Sequence, residues 1–72
     1  MKYKRLIAKS FKEKSDKIEK NKKLEDFNWD SLTKISLITE VHKVFNKNLD
    51  YKKFDKIKTF DQLNKLIEKT VK

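Results

Sequence analysis

Apolar positions along the 72-residue chain fall mostly at helical spacing, and strand-like alternation is scarce. Tyr3, Leu6, Ile7 and Phe11 form the first such stripe, which Ile18 can extend. This pattern predicts a helix from about residue 2 to between residues 14 and 19. Lys20 to Trp29 is a polar connection with Leu24, Phe27 and Trp29 as apolar anchors, the pattern of a loop pinned to a core. The next stripe is the widest: Leu32, Ile35, Leu37, Ile38, Val41, Val44 and Phe45, ending before Asn46-Lys47-Asn48. Asp30 suits its N-cap, and its breadth predicts a central helix that touches several others.

Tyr51, Phe54 and Ile57, three apart, predict a short turn of helix, and Thr59 with Gln62 fits a capping box for a last helix. That helix carries Phe60, Leu63, Leu66 or Ile67, and Val71. The whole is an expected all-α bundle, one domain over residues 1–72, of three main helices plus a short one between the second and last. Its expected core is Tyr3, Leu6, Ile7, Phe11, Ile35, Ile38, Val41, Phe45, Phe54, Ile57, Phe60, Leu63 and Ile67, with Leu32 packing inward at the start of the second helix and Trp29 as a further anchor.

Composition narrows the chemistry. With no Cys and one His, there is no disulfide, no thiol nucleophile and too few ligands for a structural zinc site. No apolar run is long enough to span a membrane, and a soluble, cytoplasmic monomer is expected.

The formal charge of +9 raises nucleic acid as a partner. Arg5 is the only arginine, however, whereas base-edge and bidentate phosphate recognition favours Arg. Absent Gly and Pro beside abundant Lys, Asn, Ile and Phe also suggests compositional bias of the genome as one source of the charge. Nor is the charge even: residues 1–25 carry ten basic and four acidic side chains, net +6, while residues 26–42 carry Lys34 against Asp26, Asp30 and Glu40, net −2. No specific nucleic-acid partner is expected.

Ser31 and His42 invite a catalytic reading, but eleven residues on one helix separate them by about 16 Å along its axis. A Ser–His pair needs hydrogen-bond contact. Without Gly there is no phosphate-cradling loop, and the carboxylates are scattered among lysines. No enzyme activity is expected of these side chains. Ser31 has a different potential: directly after the Asp30 cap, its hydroxyl sits at a helix mouth, where a phosphodiester would meet unpaired N–H groups.

From Asp30 onward the chain resembles the acyl carrier protein family. Asp30-Ser31-Leu32 matches the family's Asp-Ser-Leu at the start of its second helix. Ile35, Leu37-Ile38, Val41, Phe45, Leu49, Lys56-Ile57-Lys58-Thr59, Leu63 and Ile67 follow the family pattern without a gap over about forty residues. Trp29 before the Asp suggests a stand-alone carrier outside standard fatty-acid synthesis.

The resemblance implies that a phosphopantetheinyl transferase attaches 4′-phosphopantetheine from coenzyme A to Ser31, with Asp30 and Leu32 as recognition residues. The arm would hold an acyl or aminoacyl group as a thioester for loading and accepting enzymes, in fatty-acid, polyketide or other lipid biosynthesis. Thr33, Ile35, Ser36 and Glu40 are the expected docking positions, on a helix whose polar positions are otherwise Lys34, Thr39, His42 and Lys43.

Three departures from the family stand out. The second helix has Glu40 as its only acid where fatty-acid carriers have many, Asn28 replaces the usual Gly, and Asp50 stands where Pro is frequent. Partners with neutral or acidic docking faces follow from the first. With five Phe inside, the core leaves little room for a long acyl chain. Two alternatives remain: a carrier-fold interaction module that is never modified, and a small basic nucleic-acid-binding bundle.

Overall fold

The computed structural model describes residues 1–72 and is all-α. Helix α1 spans Lys4–Phe11, α2 spans Ser31–Phe45 and α3 spans Phe60–Val71, with 3-10 turns at Ser15–Lys17, Leu24–Asp26 and Tyr51–Lys56. The Tyr51–Lys56 turn is the short helix between the second and last. One isolated antiparallel bridge, Lys23 to Thr59, is the sole β-type contact.

Helix α1 is shorter than its stripe predicts. It stops at Lys12, which takes a left-handed backbone (φ 55°), while the Glu13 N–H returns to the Ala8 carbonyl at 2.9 Å. The reason lies in the next segment: Lys12, Glu13 and Lys14 are exposed and offer nothing to bury. Ile18 is fully buried, yet it reaches the core from the Ser15–Lys17 turn and not as a continuation of the helical stripe.

The long loop is tied down as its anchors predict. Leu24 is buried, and its N–H donates to the Lys58 carbonyl at 2.8 Å. The Lys20 and Lys22 carbonyls accept from Asp61 and Phe60, two N–H groups in the first turn of α3 that have no partner within their own helix. Thr59 and Gln62 close the capping box of that helix. A loop rich in charged residues is thereby held by backbone bonds to the start of α3.

The core contains Tyr3, Ile7, Ala8, Phe11, Ile18, Leu24, Leu37, Val41, Leu49, Phe54, Phe60, Leu63 and Ile67. Leu6, Ile38, Phe45 and Ile57, expected inside, are half-buried at its edge. Aromatic rings fill its middle: Phe11 stacks on Trp29 at 5.5 Å with planes 5° apart, and Trp29 meets Phe54 edge-on at 5.2 Å. Trp29 is thus a core anchor.

Helix α2 departs most from expectation. Its buried line is Thr33, Leu37 and Val41, four residues apart. Leu32 is 76% exposed and Ile35 53% exposed, so neither packs inward, and Val44 is exposed as well. A helix covered on one side cannot bury an apolar stripe this wide. Burying Leu37 and Val41 turns Leu32 and Ile35 away.

Candidate functional site

The N-terminus of α2 is built by Asp30. Its backbone is extended, and its carboxylate accepts the Thr33 N–H at 2.9 Å. That bond, with a further contribution from the Thr33 hydroxyl, holds the Asp30 carboxyl below the usual carboxylate range. Asp30 is therefore ionised at neutral pH and fixes where the helix begins.

Ser31 is the first residue of α2 and is exposed. None of the chain's side-chain hydrogen bonds uses its hydroxyl, unlike those of Ser10, Thr39 and Thr70, which donate to carbonyls one turn back. A groove of about 190 Å³, which Ser31 itself does not line, is bordered in part by Asn28, Asp30, Leu32 and Ser36 at the start of α2 and by Ser10 and Lys12 from the end of α1. The Ser31 hydroxyl is thus free of intramolecular partners and faces solvent. His42, in the last turn of α2, shares a 3.1 Å hydrogen bond with Asn48. It lies three turns from Ser31, at the other end of the helix.

The structure redistributes the expected docking residues. Thr33 is 6% exposed and faces the core because it falls on the buried line of α2, though it also reaches the groove at the start of that helix. Glu40 is half-buried and neutralised by two ammonium groups, Lys9 at 3.4 Å and Lys43 at 3.9 Å, so it faces α1 and offers no free acid. Ile35 is open and Ser36 half-open. Leu32 joins them at the surface, next to Ser31.

One neighbour was not singled out from the sequence. The Lys34 ammonium lies over the Trp29 ring at 5.3 Å and the Tyr51 ring at 5.7 Å, so α2, the preceding loop and the Tyr51–Lys56 turn meet around it. Lys34 is the only cation between residues 26 and 42 and lies one turn from Ser31, which is the signal that could have drawn attention to it.

No three His, Asp or Glu side chains converge as a metal site, and no helix is long and apolar enough to cross a membrane. Comparison with family models, with curated proteins and with solved structures gave no match.

Proposed function

We propose that the chain is an acyl carrier whose Ser31 receives a 4′-phosphopantetheine arm. One observation carries this reading: a hydrogen-bond-free, exposed Ser hydroxyl at the first position of a helix capped by an ionised Asp, within the Asp30-Ser31-Leu32 sequence. Asp30 sets the helix start, and with it the position of the Ser31 Oγ. In the transferase reaction the Oγ–P bond forms as the pyrophosphate bond of coenzyme A breaks, and the nucleotide leaves. The arm supplies the thiol that holds an acyl or aminoacyl group as a thioester, a group this Cys-free chain lacks.

Leu32 and Ile35, exposed on the same end of α2 as Ser31, form the contact patch for the transferase and for the loading and accepting enzymes. On this reading an apolar patch beside the modified hydroxyl stands in for the rows of carboxylates used by acidic carriers, which supports a role outside standard fatty-acid synthesis. Aromatic rings occupy the core beneath α2, so a short acyl or aminoacyl group suits it better than a long chain.

The test is intact mass after incubation with coenzyme A and a broad-specificity phosphopantetheinyl transferase. A phosphopantetheinyl increment in the wild-type chain that is absent from Ser31→Ala is the expected result. No increment with several transferases would instead favour the second reading, an unmodified interaction module that works through the Leu32–Ile35 patch.

A further inference from the structure

On the face formed by the Tyr51–Lys56 turn and α3 lies a groove of about 360 Å³, lined by Lys53, Lys56, Ile57, Gln62, Lys65, Leu66 and Lys69. Four of these seven are lysines and none is an acid. Lys65 pairs with Asp61 at 3.2 Å, whereas Lys53, Lys56 and Lys69 make no ion pair within the chain. The Gln62 carbonyl oxygen is already used by the Lys58 and Thr59 N–H groups, which leaves its NH₂ to donate. The rim side chains thus offer donors and positive charge, over a floor of half-buried Ile57 and Leu66. The three unpaired ammonium groups around one concavity repel each other, and an occupant bearing carboxylates relieves that repulsion.

We propose that this groove docks an acidic protein segment that projects one apolar side chain between its carboxylates. The floor of only two apolar residues suits one apolar side chain, and the remaining space with the mobile point charges of lysine suits carboxylates spaced along a chain. Nucleic acid fits less well, since the groove has no arginine and no aromatic ring for stacking a base. A lipid surface fits less well too. The exposed large apolar residues Met1, Leu32, Ile35, Val44 and Tyr51 all lie outside the groove, so nothing on its rim can insert. The groove shares no residue with the Ser31 site, and the proposal holds whether or not Ser31 carries an arm.

The experiment titrates the full ¹⁵N-labelled chain with a blocked Glu-Glu-Leu-Glu-Glu peptide and follows amide shifts. Saturating shifts confined to residues 53–57 and 62–69 are expected. The exposed double variant Lys56→Glu/Lys69→Glu should weaken binding about tenfold. The control Lys2→Glu/Lys4→Glu, with the same change in net charge, should weaken it less than about threefold by long-range attraction alone. Replacing the peptide's Leu by Ser should weaken binding about fivefold. Shifts spread over every lysine, or equal losses in the two double variants, would overturn the proposal. So would tighter binding at the same residues by an oligothymidylate or by phosphatidylcholine–phosphatidylglycerol vesicles.

Discussion

The Tyr3 backbone N–H donates to the Asn64 carboxamide oxygen at 2.8 Å, joining the start of α1 to the middle of α3 across 61 residues of sequence. Tyr3 precedes the first residue of α1, a helix with no side-chain cap and no acid in its first turn. Asn64, 7% exposed, therefore performs from a distant helix part of what a local cap does elsewhere. Asn64→Ala leaves a buried N–H without a partner and should cost about 1–3 kcal/mol in urea denaturation. For a 72-residue domain that lowers Tm by roughly 4–8 °C for each kcal/mol lost.

Lys12 ends α1 in the left-handed region, where a side chain is penalised and glycine is not. The chain contains no glycine, so a lysine bears this strain. Lys12→Gly should raise stability by about 1 kcal/mol, visible as a higher urea midpoint with an unchanged slope. A loss of stability would show that the lysine side chain contributes more than its backbone costs.

Trp29 stacks on Phe11 and meets Phe54, linking the loop to α1 and to the Tyr51–Lys56 turn. Trp29→Ala should cost about 3 kcal/mol. A core this small supplies only about 3–5 kcal/mol in total, so the variant should keep at most about 2 kcal/mol and show a strongly lowered Tm by circular dichroism.

Leu32→Ser separates packing from docking. An inward Leu would cost about 2–5 kcal/mol on truncation, but at 76% exposure the change should stay within about 0.5 kcal/mol. Stability should hold while the rate of arm attachment by the transferase falls. An unchanged rate would remove Leu32 from the contact patch.

Asp30 gives α2 an acid-sensitive start. Its folded pKa lies below the ordinary value of 3.8, so the charged cap contributes fully above that value. The contribution is lost as pH falls from there through the lowered folded pKa. Wild-type helicity should therefore decline over that acidic window with a component missing in Asp30→Asn, whose side chain also caps but does not titrate. Coincident acid transitions in the two proteins would rule Asp30 out as the group responsible.

Much of the fold was legible because local rules act over a few residues. The side chains of Asp30 and of the Thr59–Gln62 box cap α2 and α3, and Asn46 ends α2 in the left-handed region with its N–H on the His42 carbonyl, each within three or four positions of the backbone it serves. The position of Ser31 at a helix mouth followed from the same logic. The length of α1 did not, because Ile18 fits the helical stripe equally well as a continuation or as a separate anchor folded back from a turn.

The sequence by itself thus determined the presence of the helices, the caps of α2 and α3 and the placement of one free hydroxyl at the start of α2, since these depend on short-range spacing. Tertiary structure decided which side of α2 is inside. Seven apolar positions on one helix exceed what one covered face can bury, and periodicity alone does not rank them. Packing against α1, α3 and the Tyr51–Lys56 turn took Leu37 and Val41 and drew Thr33 in with them. Leu32 and Ile35 were left in solvent beside Ser31, and Glu40 was paired to Lys9 on α1, a contact visible only once two helices lie together.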